Sequence, residues 1–206
     1  EYQIIGRIVG AFALAGFLSY FLTPFVKQLA ARIGAIDTPK DDRRMHRKPI
    51  PRLGGLAIFL GFLYTLLLFG EYSAQMLSVM LGATVIVVLG IFDDMMALGA
   101  KFKFIVQIFA AAIPVCMGGL RIEMFTSFNP FSDSTYFGLG VFSIPVTILW
   151  IVGITNAVNL IDGLDGLAVG VSSIAAVTML AVSLLAGQPL IAIIMAALAG
   201  ACVGFM

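Results

Sequence analysis

Charge is scarce in this chain: Lys, Arg, Asp and Glu make up 11% of 206 residues, against 61% hydrophobic residues. No soluble domain needs that much apolar surface, so a soluble fold is excluded and an integral membrane protein is expected. Cysteine is almost absent. Cys116 and Cys202 stand inside apolar runs, where they read as small buried hydrophobes, and neither a disulfide nor a CxxC metal spacing is expected. Histidine occurs once, at His46. No low-complexity linker is present, and no internal repeat is strong enough to suggest an inverted-repeat transporter. The first apolar run is too long for a cleavable signal peptide and carries no cleavage pattern. A net charge of +1 says little by itself; no nucleic-acid partner is expected.

What is abundant is apolar and small. Seventeen Phe and 22 Gly suit packed transmembrane helices, in which small residues let backbones approach closely. Apolar stretches over 4–30, 54–70, 76–93, 102–118, 143–158, 167–186 and 189–206 predict an all-α, polytopic helix bundle of about seven spans. The whole of 1–206 reads as one transmembrane catalytic domain. The chain opens on Glu1 and stops at Met206 inside an apolar run, so it is expected to be a piece of a longer protein. Residues Arg121–Phe128 and Tyr136–Phe142, rich in β-formers, predict a short hairpin at the outer surface.

The few charges are unevenly placed. Between the first two stretches, Arg32, Lys40, Arg43, Arg44, Arg47, Lys48 and Arg52 crowd one loop, which marks it as cytoplasmic. Counting alternate spans from there puts Asp93–Lys103 and Asn156–Asp165 on that same side, and ten of the 12 Lys and Arg with them. Ionisable groups in or beside a membrane span are costly and mark sites. In Asn156–Leu167 two amides and two carboxylates, Asn156, Asn159, Asp162 and Asp165, stand three apart, a spacing that can bring the last three together on one side of a helix. Gly163 and Gly166 weaken the helix there, favouring an end open to water. Asp93 and Asp94 close the third span, where they oppose the helix dipole and repel one another. Such a pair suits a hard, oxygen-preferring cation such as Mg²⁺, which completes its shell with water and substrate phosphate. Read blandly, the loop is topology-setting charge, His46 a solvated side chain and the acids solvated helix ends.

Three ordered motifs, His46-Arg47-Lys48-Pro49-Ile50-Pro51-Arg52-Leu53-Gly54-Gly55, Asp93-Asp94 with Lys101 and Lys103, and Asn156–Leu167, resemble those of the polyprenyl-phosphate N-acetylhexosamine-1-phosphate transferases, the glycosyltransferase family 4 type. The segment Pro51–Gly55 looks more like the GlcNAc-phosphate branch, teichoic-acid type, than the MurNAc-pentapeptide translocase. The resemblance implies transfer of GlcNAc-1-phosphate from UDP-GlcNAc to undecaprenyl phosphate with release of UMP, at the cytoplasmic face of a bacterial plasma membrane. It implies Mg²⁺, with Mn²⁺ as a substitute, held by Asp94, Asn159 and Asp162. Asp93, Asp94 and Asp162 match the catalytic positions, Asp93 as the group that binds or deprotonates the lipid phosphate. Lys101, Lys103, Asn159, Asp165, Arg52 and His46 match substrate- and phosphate-binding positions. A covalent phospho-aspartate and a direct displacement both stay open, as does a homodimer. Members of the family continue to a further cytoplasmic Asp that ligands the metal and a His-bearing loop involved in sugar recognition; neither precedes Met206.

Other chemistries compete with this one. A MurNAc-pentapeptide transferase shares the motifs. A transporter or flippase would place its acids near the bilayer midplane rather than at span ends. An intramembrane aspartyl protease needs two facing aspartates sharing a proton, and acids beside lysines suit that poorly. Because a metal ligand and the sugar-reading loop are missing, the 206-residue chain assayed alone should release no UMP from UDP-GlcNAc and undecaprenyl phosphate. Clear Mg²⁺-dependent turnover by this piece would refute that expectation.

Overall fold

The computed structural model describes residues 2–37, 50–51, 53–126, 136–162 and 166–206. Among these, seven α-helices follow one another: α1 (Tyr2–Ile33), α2 (Gly54–Phe69), α3 (Ala74–Met96), α4 (Ala100–Cys116), α5 (Ser143–Ile161), α6 (Leu167–Leu185) and α7 (Pro189–Phe205). They fall on the apolar stretches read from the sequence, with ends within a turn of those expected. Four segments are long and apolar enough to cross a membrane: α1, α3, α6 and Gly140–Ile161, which contains α5. The remaining helices are shorter, with 16 residues in α2 and 17 in each of α4 and α7. At 1.5 Å per residue they reach about 25 Å, a turn short of the ~30 Å hydrocarbon core. Local thinning of the bilayer and flanking residues absorb such a mismatch at small cost. The protein is thus a helical, multi-pass membrane protein.

The chain divides into two compact units. The first takes Glu1–Glu71, Val87–Leu98 and Ile161–Met206. In it α1 packs on α2 and α7, and α7 packs on α2 and α6. Lipid is as apolar as leucine, so helices associate here through close van der Waals fit rather than through hydrophobic burial. The sequence supplies the fit by placing alanine and glycine along the seam: Ala11 and Ala15 of α1 and Ala192, Ala196 and Ala197 of α7 are fully buried. Two approaches need glycine outright. A methyl group on Gly200 would run into the Phe12 carbonyl, and one on Gly204 into the Gly16 carbonyl.

At one end of this unit a cluster of Val26, Ala30, Ala35, Leu53 and Ala57 is covered by Leu22, Ile33, Leu56, Ile91 and Phe205. It ties the start of α2 and the last turns of α3, through Ile91, to the end of α1. Helix α1 stops there by a glycine-specific device. Gly34 takes φ +77°, and the Ala35 N–H reaches back to the Ala30 carbonyl at 3.0 Å. A two-residue antiparallel ladder follows, β1 (Ile36–Asp37) with β2 (Ile50–Pro51), pairing Ile36 with Pro51 and Asp37 with Ile50.

The second unit takes Tyr72–Ile86 and Gly99–Leu160. Here α3 approaches α4 closely: a methyl on Gly82 would come within 2.9 Å of the Ala110 carbonyl oxygen. The expected hairpin is present and shorter than its β-rich sequence. Strands β3 (Met124–Thr126) and β4 (Tyr136–Gly138) pair antiparallel, and Gly140–Phe142 forms a 3₁₀ turn that leads into α5 instead of extending the strand. The hairpin base is pinned to α5, because the Ile122 N–H donates to Thr147 Oγ1 at 2.9 Å and the Ser143 hydroxyl donates to the Ile122 carbonyl at 2.8 Å.

Gly204→Ala should lower the melting temperature in detergent, by the ~1–3 kcal/mol typical of an overfilled core. Gly170→Ala, whose methyl meets nothing within 4 Å, should be neutral or stabilising by up to about 1 kcal/mol. Equal melting temperatures for the two variants would contradict the close α1–α7 approach.

Candidate active site

Asp93 and Asp94 occupy the last turn of α3 and are half-buried. A carboxylate there faces the negative end of the helix dipole, at a cost of about 0.3–1 kcal/mol. The local backbone offsets that cost. Asp93 Oδ1 accepts a hydrogen bond from the Leu98 N–H at 3.0 Å, while the Asp93 carbonyl accepts from the Ala97 N–H at 2.9 Å. To present these donors the chain reverses at Ala97, which takes φ +47° although it is not glycine. A left-handed alanine costs about 1–2 kcal/mol. Asp93 therefore helps to end α3 and to hold a strained turn, and that same turn fixes where its carboxylate points.

Lys101 and Lys103 lie in the first turn of α4, after Gly99, which offers no side-chain cap. Lys101 is exposed and Lys103 half-buried. Unbonded N–H groups at a helix start attract anions, and two lysines in place of the usual acids add to that attraction. The combination suits phosphate.

Helix α5 ends at Ile161, so Asn159 is its exposed last-turn residue and Asp162 is the first residue beyond it. Helix α6 begins only after Gly166, which takes φ +76°, a conformation that glycine adopts without penalty. A helix end falls in the Asn156–Leu167 motif, as its glycines lead one to expect, with Asn159 in the last turn of α5 and Asp162 just beyond it. Asp165, with His46 and Arg52, lies outside the described residues.

Asn156, to which the motif reading gives no individual role, is tied down inside the fold. Its Nδ2 donates to Gln107 Oε1 at 2.7 Å and to the Val152 carbonyl at 2.8 Å. Both of its N–H groups are used within the helix pair α4–α5. The sequence reading missed Gln107, a buried amide in the middle of α4; its signal was its place four residues after Lys103, one helical turn deeper.

Asp93, Asp94 and Asp162 belong to the first unit, and Lys101, Lys103 and Asn159 to the second. Among the described residues no three His, Cys, Asp or Glu side chains form a group that could hold a metal ion. A phosphate-bound Mg²⁺ asks for less, because one or two carboxylates suffice when substrate oxygens and water complete the shell. The all-oxygen donors Asp94 and Asp162, both of the first unit, are of the type that chemistry uses.

Residues 76–206, more than half of the chain, match the family model for glycosyl transferase family 4. The chain belongs to this family. It is 43% identical over 201 residues to the probable undecaprenyl-phosphate N-acetylglucosaminyl 1-phosphate transferase of Bacillus subtilis, covering 97% of the chain and 55% of that relative. It is 37% identical over 215 residues to the decaprenyl-phosphate N-acetylglucosaminephosphotransferase of Mycobacterium tuberculosis, covering 93% of the chain and 51% of the relative. The phospho-N-acetylmuramoyl-pentapeptide-transferase of Chlamydia pneumoniae is 36% identical over 181 residues, which cover 76% of the chain and 51% of the relative. The chain spans about half the length of these curated relatives. The family match takes in Asp93, Asp94, Lys101, Lys103, Asn159, Asp162 and Asp165, whereas His46 and Arg52 precede it.

If the turn after α3 is built as described, Ala97→Val should cost about 1–2 kcal/mol of stability and Ala97→Gly should be neutral or stabilising. Asp93→Asn, which keeps an acceptor for the Leu98 N–H, should melt close to the parent, and Asp93→Leu should melt lower. Thermal midpoints in detergent check this order; Asp93→Leu melting with the parent would contradict it.

Proposed function

We propose that the full-length protein transfers GlcNAc-1-phosphate from UDP-GlcNAc to undecaprenyl phosphate, giving undecaprenyl-diphosphate-GlcNAc and UMP. The reaction is placed as the first membrane step of a cell-wall glycopolymer such as teichoic acid, in a bacterial plasma membrane with the site facing the cytoplasm. One observation carries the choice of sugar: identity to the Bacillus subtilis relative runs at 43% over 97% of the chain, against 36% over 76% for the Chlamydia pneumoniae pentapeptide enzyme.

In this reading a phosphate oxygen of the lipid attacks the β-phosphorus of the sugar nucleotide. The bond from that phosphorus to the bridging oxygen breaks, and UMP departs with the bridging oxygen and its electron pair. Asp93 receives the lipid phosphate and takes its proton where one is present. Lys101 and Lys103, with the start of α4, hold phosphate oxygens and draw two anions together. Asn159 and Asp162 face the diphosphate, supported by Asp165, with Arg52 and His46 as further substrate contacts. Mg²⁺, or Mn²⁺ in its place, held by Asp94, Asn159 and Asp162, supplies charge neutralisation on the leaving group.

On the full-length protein in detergent, UMP release should need both substrates, stop with a chelator and return with Mg²⁺ or Mn²⁺. Asp162→Asn should lower it at least a hundredfold, a loss of about 2.7 kcal/mol or more of transition-state stabilisation. Transport without UMP formation would overturn the proposal, and a strong preference for UDP-MurNAc-pentapeptide would overturn its sugar assignment.

A further inference from the structure

Gln107 lies in the middle of α4, is 8% exposed, and accepts from Asn156 Nδ2 at 2.7 Å across a separation of 49 residues. Asn156 spends its second N–H on the Val152 carbonyl one turn back along α5. A primary amide has two N–H groups, so the Asn156 side chain is locked at both. No function assigned above uses Gln107. Its surroundings are those of helix packing, with Ala110, Ala111 and Val115 of α4 buried beyond it.

The pair stands one turn from two residues that do matter to the proposed reaction. Lys103 precedes Gln107 by four residues on α4, and Asn159 follows Asn156 by three on α5, spacings at which helical side chains share a face. A one-residue slip of either helix turns its face by about 100° and moves it by about 1.5 Å. Van der Waals packing alone is non-directional and resists such a slip weakly. A single directional amide bond allows one register only, the role that an isolated buried polar residue plays in coiled coils. We infer that Gln107 is a positioning residue: through Asn156 it sets the register of α4 against α5, and so the placement of Lys103 relative to Asn159. This rests on the reading of Lys103 and Asn159 as substrate-binding groups.

The test uses the full-length protein in detergent and four variants: Gln107→Leu, Asn156→Leu, both leucines together, and the exchange Gln107→Asn with Asn156→Gln. The exchange keeps one amide on each helix and the same total reach. Both single variants should lose at least tenfold in kcat. The exchange should recover most of that loss. The double-leucine variant, which leaves no orphaned amide, should regain the parent melting temperature and remain slow. A spectroscopic readout needs no turnover: spin labels at the exposed positions Ile105 and Val158, in a cysteine-free background, should give one narrow distance in the parent and the exchange, and a shifted or broadened one in the leucine variants. A double-leucine variant with parental kcat and distance would overturn the inference, as would a folded exchange variant no better than the singles. If the parent releases no UMP while the distances follow the stated order, the proposed reaction fails and the register lock stands.

Discussion

An ionised side chain at the centre of a lipid-exposed helix costs about 2.5–3.5 kcal/mol even on the lenient insertion scale, and that cost is visible in where the described charges stand. Asp93 and Asp94 lie in the last turn of α3, Lys101 and Lys103 in the first turn of α4, and Asp162 just past α5. Arg7, near the start of α1, donates to the Phe69 carbonyl at 2.7 Å and approaches Glu71 at 3.7 Å, so its charge caps the end of α2. Several deeper polar groups are uncharged and hydrogen-bonded. Thr65 bonds back to the Gly61 carbonyl, Thr84 to the Met80 carbonyl, and Asn156 to Gln107. Among the described residues, the charges of the candidate site thus stand at helix ends.

At those ends the charges are the reverse of what an isolated helix prefers. Acids close α3 and lysines open α4, each against the local dipole. Part of the compensation is internal, from the Leu98 N–H to Asp93. In the proposed reaction a cation at the acids and a phosphate at the lysines would complete it.

The helices were legible because their signal is long and uniform: all seven apolar stretches became helices with ends within a turn. The hairpin was legible through its β-formers, although Gly140–Phe142 joined the α5 lead-in, because the 3₁₀ turn there runs straight into the helix. Periodicity could not show that α5 stops before Asp162. Asn156 to Asp165 keeps a helical spacing on paper; the glycines of the motif foretold a helix end, and the fold places it at Ile161. The partnership of Asn156 with Gln107 joins residues 49 apart and leaves no local trace. Neither did the strained turn at Ala97, which sequence rules would give to glycine. Within the candidate site, the different settings of Asn156, bonded inside the helix pair, and Asn159, exposed at the end of α5, needed the fold.

The account stands on Asp94 and Asp162, from separate helix ends of the same unit, serving one metal ion. Mn²⁺ titrated into the full-length protein and followed by electron paramagnetic resonance measures this without any turnover. One ion per chain should bind, and Asp94→Asn and Asp162→Asn, made separately, should each weaken binding at least tenfold. Retention of parental Mn²⁺ affinity by either variant, with its fold intact, would show that the two carboxylates serve different ends and would contradict the account.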